Sequence, residues 1–180
     1  MRPKNNLTAK EAVFLGLGSN LGNREDHLVK AIDALEGDDI HIKALSSVYE
    51  TEAWGDENLK PFLNMVVQIK TTLAPEQLLQ RVESIERQLG RKSGKGKFQN
   101  RNIDIDVLLF GNHVVDLENL RIPHKGLPDR RFVLEPLNEL AQDLIHPVSG
   151  KSIRKLLREC PDALKVIKRE TPLNIPGAGS

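Results

Sequence analysis

The feature that most constrains this chain is the succession of hydrophobic periods between residues 12 and 110. Ala12-Val-Phe-Leu-Gly-Leu-Gly18 is a short apolar run, β-branched and aromatic in part, stopped by glycines, which predicts a buried strand. From Arg24 to Leu35, Leu28, Ile32 and Leu35 recur at helical spacing, with Asp26 near the start and Gly37 past the end. His41 to Glu52 returns to alternation, with Ile42, Ala44 and Val48 among polar neighbours. Phe62 to Ile69 makes a further strand after the loop Ala53 to Pro61, which carries the only tryptophan. Pro75 opens a second helix at its first-turn position, and Leu78, Leu79, Val82, Ile85 and Leu89 form its stripe before Gly90. Ile103 to Phe110 then reads as a strand.

The resulting order is β-α-β-β-α-β, that of the split-βαβ, ferredoxin-like unit, in which two helices cover one face of an antiparallel sheet. The expected class is therefore α+β. About seventy residues follow. They supply a hairpin around Val114 to Arg121 and helices from about Asp129 to Leu140 and from Ser152 to Arg158, expected to cover the rest of the sheet. With 39% of 180 residues apolar, the chain has enough side chains for one core and too few for two full-sized domains. We expect a single domain over residues 11–170, with residues 1–10 and 171–180 as disordered ends.

Bulk charge names no polyanionic partner, because 26 Lys plus Arg face 25 Asp plus Glu. The lone Cys160 permits no intrachain disulfide, and the first apolar run is far too short to span a bilayer. The expectation is a cytoplasmic monomer with no membrane or nucleic-acid partner.

The strongest chemical signal is Arg101-Asn-Ile-Asp104-Ile-Asp106-Val-Leu-Leu-Phe110. Alternate side chains of a strand share a face, which puts Asp104 and Asp106 side by side with Cα atoms roughly 6.5–7 Å apart. Ile103, Ile105, Val107 and Leu109 would then point into the core, and Leu108 and Phe110 would continue the carboxylate face. Two neighbouring carboxylates call for a cation between them, and oxygen-only ligation with few protein carboxylates suits Mg²⁺ shared with substrate phosphates. The preceding segment, Arg91 to Arg101, holds five cations and no acid, a receptor for polyphosphate when set beside a metal site.

Ile122-Pro-His124 to Arg130-Arg131-Phe132 could bind an anion beside a flat ring, and Phe62-Leu-Asn64 offers a second aromatic with an amide suited to a heterocycle edge. Two lookalikes fail. Gly150-Lys151-Ser152 lacks the phosphate-loop glycine, Ile145 standing in its place, and Ser152 reads as a helix cap. Gly16-Leu-Gly18-Ser-Asn-Leu-Gly22 has its third glycine one residue late for a dinucleotide fingerprint and reads as a tight turn, with Asn20 or Asn23 capping the helix.

Taken in order, Gly16–Gly22, Tyr49-Glu-Thr-Glu-Ala-Trp-Gly55, Phe62-Leu-Asn64, Ile85-Glu86 with Gly90-Arg91, Arg101–Gly111 and Ile122-Pro-His124 to Leu137 resemble the motifs of the hydroxymethyl-dihydropterin pyrophosphokinase family of folate biosynthesis. The resemblance implies transfer of pyrophosphate from ATP to the hydroxymethyl group of a reduced pterin, releasing AMP. It implies that Asp104 and Asp106 hold two Mg²⁺ ions and that Arg91, Arg101 and His124 contact the polyphosphate. Arg130 would lie between the reacting groups and the pterin, and Phe62 and Phe132 would sandwich the ring. Asn64 and the backbone from Thr51 to Ala53 would read its edge, with Glu86 and Val107 on the nucleotide side. Ser93, Phe98 and Lys125 depart from the common pattern, which shifts the expected phosphate grip toward Arg91 and the lysines.

Two other classes compete. An RNA-binding sheet needs exposed aromatics on its central strands, where this chain presents Asp104 and Asp106. A metal-dependent phosphotransferase or phosphohydrolase would share the carboxylates but not the dependence on a pterin.

Overall fold

A computed structural model describes residues 12–53, 56, 58–90 and 100–176. Strand β1 (Val13–Ser19) leads into helix α1 (Arg24–Leu35), whose start is fixed by Asn23, the side chain accepting from the Asp26 N–H at 3.1 Å. Strands β2 (Ile40–Leu45), β3 (Tyr49–Thr51) and β4 (Phe62–Thr71) follow. Helix α2 (Pro75–Gln88) has proline in its first turn, and strand β5 (Asp104–Phe110) comes next. The remainder is a short hairpin, β6 (Val115–Asp116) and β7 (Arg121–Ile122), helix α3 (Arg131–Ala141), helix α4 (Ile153–Glu159) and strand β8 (Val166–Lys168). Among the described residues this is an α+β fold with four helices on a mainly antiparallel sheet. None of these helices is long and apolar enough to cross a membrane.

The sheet runs β5-β1-β4-β3-β8, with β2 also pairing β4, and the registered pairs are antiparallel. The expected single strand from His41 to Glu52 is two. Ser46 breaks it, its hydroxyl accepting from the Val66 N–H at 2.9 Å in place of a ladder carbonyl. Strand β8 was not foreseen; it covers the β3 edge.

Two apolar layers result. Under α1 and α2, Leu15 and Leu17 of β1, Leu63, Met65, Val67 and Ile69 of β4, and Ile105 and Val107 of β5 pack with Leu28, Ile32, Leu78 and Val82. Leu173 and Ile175, in the tail expected to fray, also lie against this layer. On the other face, Phe14, Val66, Leu108 and Leu109 pack with Val133, Leu134 and Leu137 of α3 and with Ile153 and Leu156 of α4.

Leu109 corrects the strand reading. The β1–β5 register slips between Phe14 and Leu15, so that Phe14 pairs Leu109 while Leu15 pairs Val107, and Leu108 is the inserted residue. One extra residue reverses every later side chain. Leu109 therefore joins Leu108 under α3, and Phe110 turns to the α1/α2 layer. Upstream of the bulge the alternation holds.

Candidate active site

The face under α3 is closed by Phe14 and Val66 at one end and open at the other. There, in register across three strands, Asn64 of β4 lies opposite Gly18 of β1, and Gly18 lies opposite Asp104 of β5. The next row is Val66, Gly16 and Asp106. The two glycines keep the middle strand bare. A β-carbon at Gly18 would stand 2.6 Å from Asn64 Oδ1, and one at Gly16 would press on the Leu108 side chain at 3.4 Å. The bare strand floors a cavity of about 120 Å³ whose walls include Thr51, Phe62, Asn64, Asp104, Arg130 and Phe132. The glycines of the run read locally as a tight turn thus lie in β1 and supply the floor of the site, and the signals for that in the sequence are the adjoining strand pattern and the resemblance of Gly16–Gly22 to a family motif.

One wall is charged. Arg101 donates from Nη1 to Asp104 Oδ1 at 2.9 Å, with both side chains largely sheltered. Asp106 has its acidity suppressed, its pKa pushed up to about 8, first by withdrawal from water and then by the neighbouring Asp104, against the pull of Arg130. Part of the Asp106 side chain still opens to the cavity, 38% exposed, so the group is accessible while poorly solvated.

His124 is placed by its own backbone, which donates to the Leu108 carbonyl at 2.9 Å. Its Nδ1 accepts from the Gly126 N–H at 3.1 Å, which assigns the ring proton to Nε2, 3.9 Å from Asp106 Oδ1. Burial and then Arg130 lower its pKa, so the ring is a neutral N–H donor at pH 7 rather than a cation. The peptide bond before Pro123 is cis.

The other wall is aromatic and amide. Asn64 donates from Nδ2 to Thr51 Oγ1 at 2.6 Å, and both residues are buried, which fixes the amide and turns Oδ1 toward Gly18 and the cavity. Phe62 begins β4 and Phe132 is the second residue of α3; both line the cavity, and the Arg130 guanidinium carbon stands 6.0 Å from the Phe132 ring centroid.

Three expected residues are not among those lining the cavity: His124 stands behind Asp106, and two others lie further off. The Val107 side chain faces the α1/α2 layer and is 5% exposed, because it alternates with Asp106. Glu86 is buried on α2 and accepts from the Ile105 N–H at 2.7 Å. Arg91, Ser93 and Phe98 lie outside the described residues.

Residues 14–142 match the model of the 7,8-dihydro-6-hydroxymethylpterin-pyrophosphokinase (HPPK) family. The 2-amino-4-hydroxy-6-hydroxymethyldihydropteridine pyrophosphokinase of Aquifex aeolicus is 42% identical over 147 residues, 82% of this chain and 91% of that protein. Its namesake in Bacillus subtilis is 39% identical over 132 residues, 73% of this chain and 78% of that one. A crystal structure of Plasmodium falciparum HPPK-DHPS superposes with a TM-score of 0.67 at 19% identity. It covers 83% of this chain but only 45% of its own, and it supports the fold alone. With a family match over most of its length and relatives at about 40% identity, this chain belongs to the 7,8-dihydro-6-hydroxymethylpterin-pyrophosphokinase family.

Proposed function

We propose that the chain transfers the pyrophosphoryl group of ATP to the hydroxymethyl oxygen of 6-hydroxymethyl-7,8-dihydropterin, yielding the pterin diphosphate and AMP in folate biosynthesis. In that reaction the hydroxyl oxygen bonds to the β-phosphorus, the bond from that phosphorus to the AMP oxygen breaks, and the hydroxyl proton is lost. The observation that carries the reading is the row Asn64, Gly18, Asp104, which joins a heterocycle-reading amide to a carboxylate across a bare strand. We read the core as ferredoxin-like, on the strand order β5-β1-β4-β3 with α1 and α2 on one face.

Asp104 and Asp106 suit Mg²⁺: they are adjacent oxygen donors, and the suppressed acidity of Asp106 marks a pair short of positive charge. Among the described residues no group of three or more His, Cys, Asp or Glu side chains gathers as a metal cage, so further ligands would come from substrate and water. Bound there, the cation supplies charge neutralisation and a more acidic hydroxyl.

The chain's own residues do the rest. Arg101 and His124 offer N–H donors on the carboxylate side for phosphate oxygens. Arg130 stands between that side and Phe132, and Phe62 and Phe132 take the pterin faces. Asn64 Oδ1 accepts from the ring edge, with the main chain of Thr51 to Ala53 beside it. Val107 would meet a nucleotide through its main chain, β5 being the terminal strand, with Glu86 bracing that edge. Little covalent chemistry is asked of the protein, since such transfers depend on alignment and charge.

The test is AMP release from ATP with and without the reduced pterin. Release only with pterin supports the reading. Phosphate, ADP or AMP produced equally without it would favour a phosphohydrolase.

A further inference from the structure

We propose that Asn20 and Asn100 form an amide strut that holds the two substrate walls of the cavity at a fixed distance, Asn20 acting as a positioning residue for the transfer. The inference rests on the functional reading above. Asn20 follows directly on β1 and is 2% exposed. It does not cap α1, a role that Asn23 fills.

Both donors and one of the two acceptor sites of its side-chain amide are used, all in bonds to segments that lead into the cavity walls. Oδ1 accepts from the Arg101 N–H at 2.6 Å. Nδ2 donates to the Lys60 carbonyl at 2.9 Å and to Asn100 Oδ1 at 2.8 Å. Its main-chain N–H donates to the Arg101 carbonyl at 3.1 Å. Asn100 closes the figure, its Oδ1 accepting also from the Lys60 N–H at 3.3 Å.

The segments so joined belong to opposite walls. Arg101 holds Asp104, while Lys60 lies two residues before Phe62, which opens the wall of Phe62 and Asn64. The following carbonyl, of Pro61, is held by Arg24 Nη1 at 3.1 Å, so the approach to Phe62 is pinned at two successive positions. None of these bonds ties apolar layers together. They fix the spacing of groups that must align, where small misplacements cost rate.

Only an asparagine meets this pattern at position 20. Aspartate would keep the bond from the Arg101 N–H but set lone pairs against the Lys60 carbonyl and Asn100 Oδ1. At position 100 the demand is different: an acceptor oxygen suffices, and the residue is exposed, so truncation there leaves the core untouched.

The decisive experiment compares wild type, Asn100→Ala, Asn100→Asp and Asn20→Asp by steady-state kinetics in both substrates, melting, and amide exchange at Lys60. Asn100→Ala is expected to melt like wild type, exchange the Lys60 amide faster, and raise the pterin KM roughly five- to tenfold with the ATP KM near wild type. Asn100→Asp, which keeps the acceptor, is expected to restore both. Asn20→Asp is expected to raise the pterin KM further, and if it fails to fold the Asn100 pair decides alone. Wild-type KM and exchange in Asn100→Ala, or a defect that Asn100→Asp does not rescue, would overturn the strut. A wild-type protein without pterin-dependent AMP release would instead overturn the functional reading, while Lys60 exchange would still report on the strut.

Discussion

The face of the sheet under α1 and α2 is closed along its whole length, whereas the face under α3 and α4 is closed only at one end. The same three strands build both. On the closed face, Leu15, Leu17, Leu63, Val67, Ile105 and Val107 are each 5% exposed or less and touch other apolar groups. On the open face the alternate positions are Gly16, Gly18, Asn64, Asp104 and Asp106, which are small or polar and line the cavity. A site is made here by withholding side-chain volume from one half of one face, with a full core left directly behind it to keep the strands rigid.

Neighbouring residues should therefore fail in opposite ways. Asp106→Asn is expected to lower turnover by on the order of 10²–10³-fold or more while leaving melting unchanged or raised, since it removes the cost of withdrawing a carboxyl group from water beside Asp104. Ile105→Ala, one residue earlier, is expected to cost about 2–5 kcal/mol of stability. Its kcat should stay close to wild type at temperatures where it remains folded. Kinetics and thermal melts on the pair check this, and an Asp106→Asn protein that retained most of its pterin-dependent AMP production would break the division between faces.

The open face is itself divided into a charged and an aromatic wall. Phe132→Ala should weaken pterin binding by ~1–3 kcal/mol, the usual worth of an aromatic stacked on a heterocycle, and ATP binding much less. Calorimetric titration of each ligand measures both. Equal losses would assign Phe132 to the packing around α3, where its ring also makes contact.

How much of this was legible beforehand follows from range. Helices α1 and α2, the hairpin and the Asp104/Asp106 alternation are encoded over a few residues, in period and capping, and they stand where expected. The bulge at Leu108 arises from how β1 pairs with β5, which no local pattern reports, so the facing of Leu109 and Phe110 was misread. The split after Leu45 depends on the Ser46 hydroxyl meeting a β4 amide twenty residues on, and β8 on the β3 edge it covers. At the site, the residue types of Asp104, Asp106, Arg101, His124 and Asn64 singled them out in the sequence as candidates, and the fold brings them to one end of the open face. Gly16, Gly18 and Asn20 stood out only as part of a family motif, because the bare floor that the glycines make and the strut proposed for Asn20 depend on how distant segments lie side by side.

The carboxylate pair also gives the open face a pH dependence. Asp106 is raised from 3.8 to about 8 on folding, through loss of water and then Asp104, so the folded state holds this proton more tightly than the unfolded chain. The stability it contributes is therefore full below the unfolded value and is lost as pH rises through about 8. Without Mg²⁺, the wild-type melting temperature should fall between pH 5 and 8 relative to that of Asp106→Asn. Added Mg²⁺ should raise it more at pH 8 than at pH 6, because the cation binds the deprotonated form. Parallel curves for the two proteins, with and without Mg²⁺, would detach the carboxylate from the metal.

The smallest effect is expected at the closed end of the open face. Glu139 of α3 accepts from the Ser47 N–H and hydroxyl, each at 2.9 Å, and from the Tyr49 hydroxyl at 2.8 Å, tying α3 to the start of β3. Partial burial acts to raise its pKa, but the bonds from Tyr49 and Ser47 outweigh that and hold the carboxyl below its ordinary value. Its stabilisation is thus present above the unfolded carboxylate pKa and lost as pH falls through the lower, folded one. Glu139→Gln keeps one acceptor oxygen and gives up the charge and the second, so about 0.5–1.5 kcal/mol of stability should go, with both KM values unchanged. A shift in the pterin KM would show that tension passes from Tyr49 along β3 to Thr51, two residues on, and from its hydroxyl to Asn64, and the closed end would then have a share in aiming the open one.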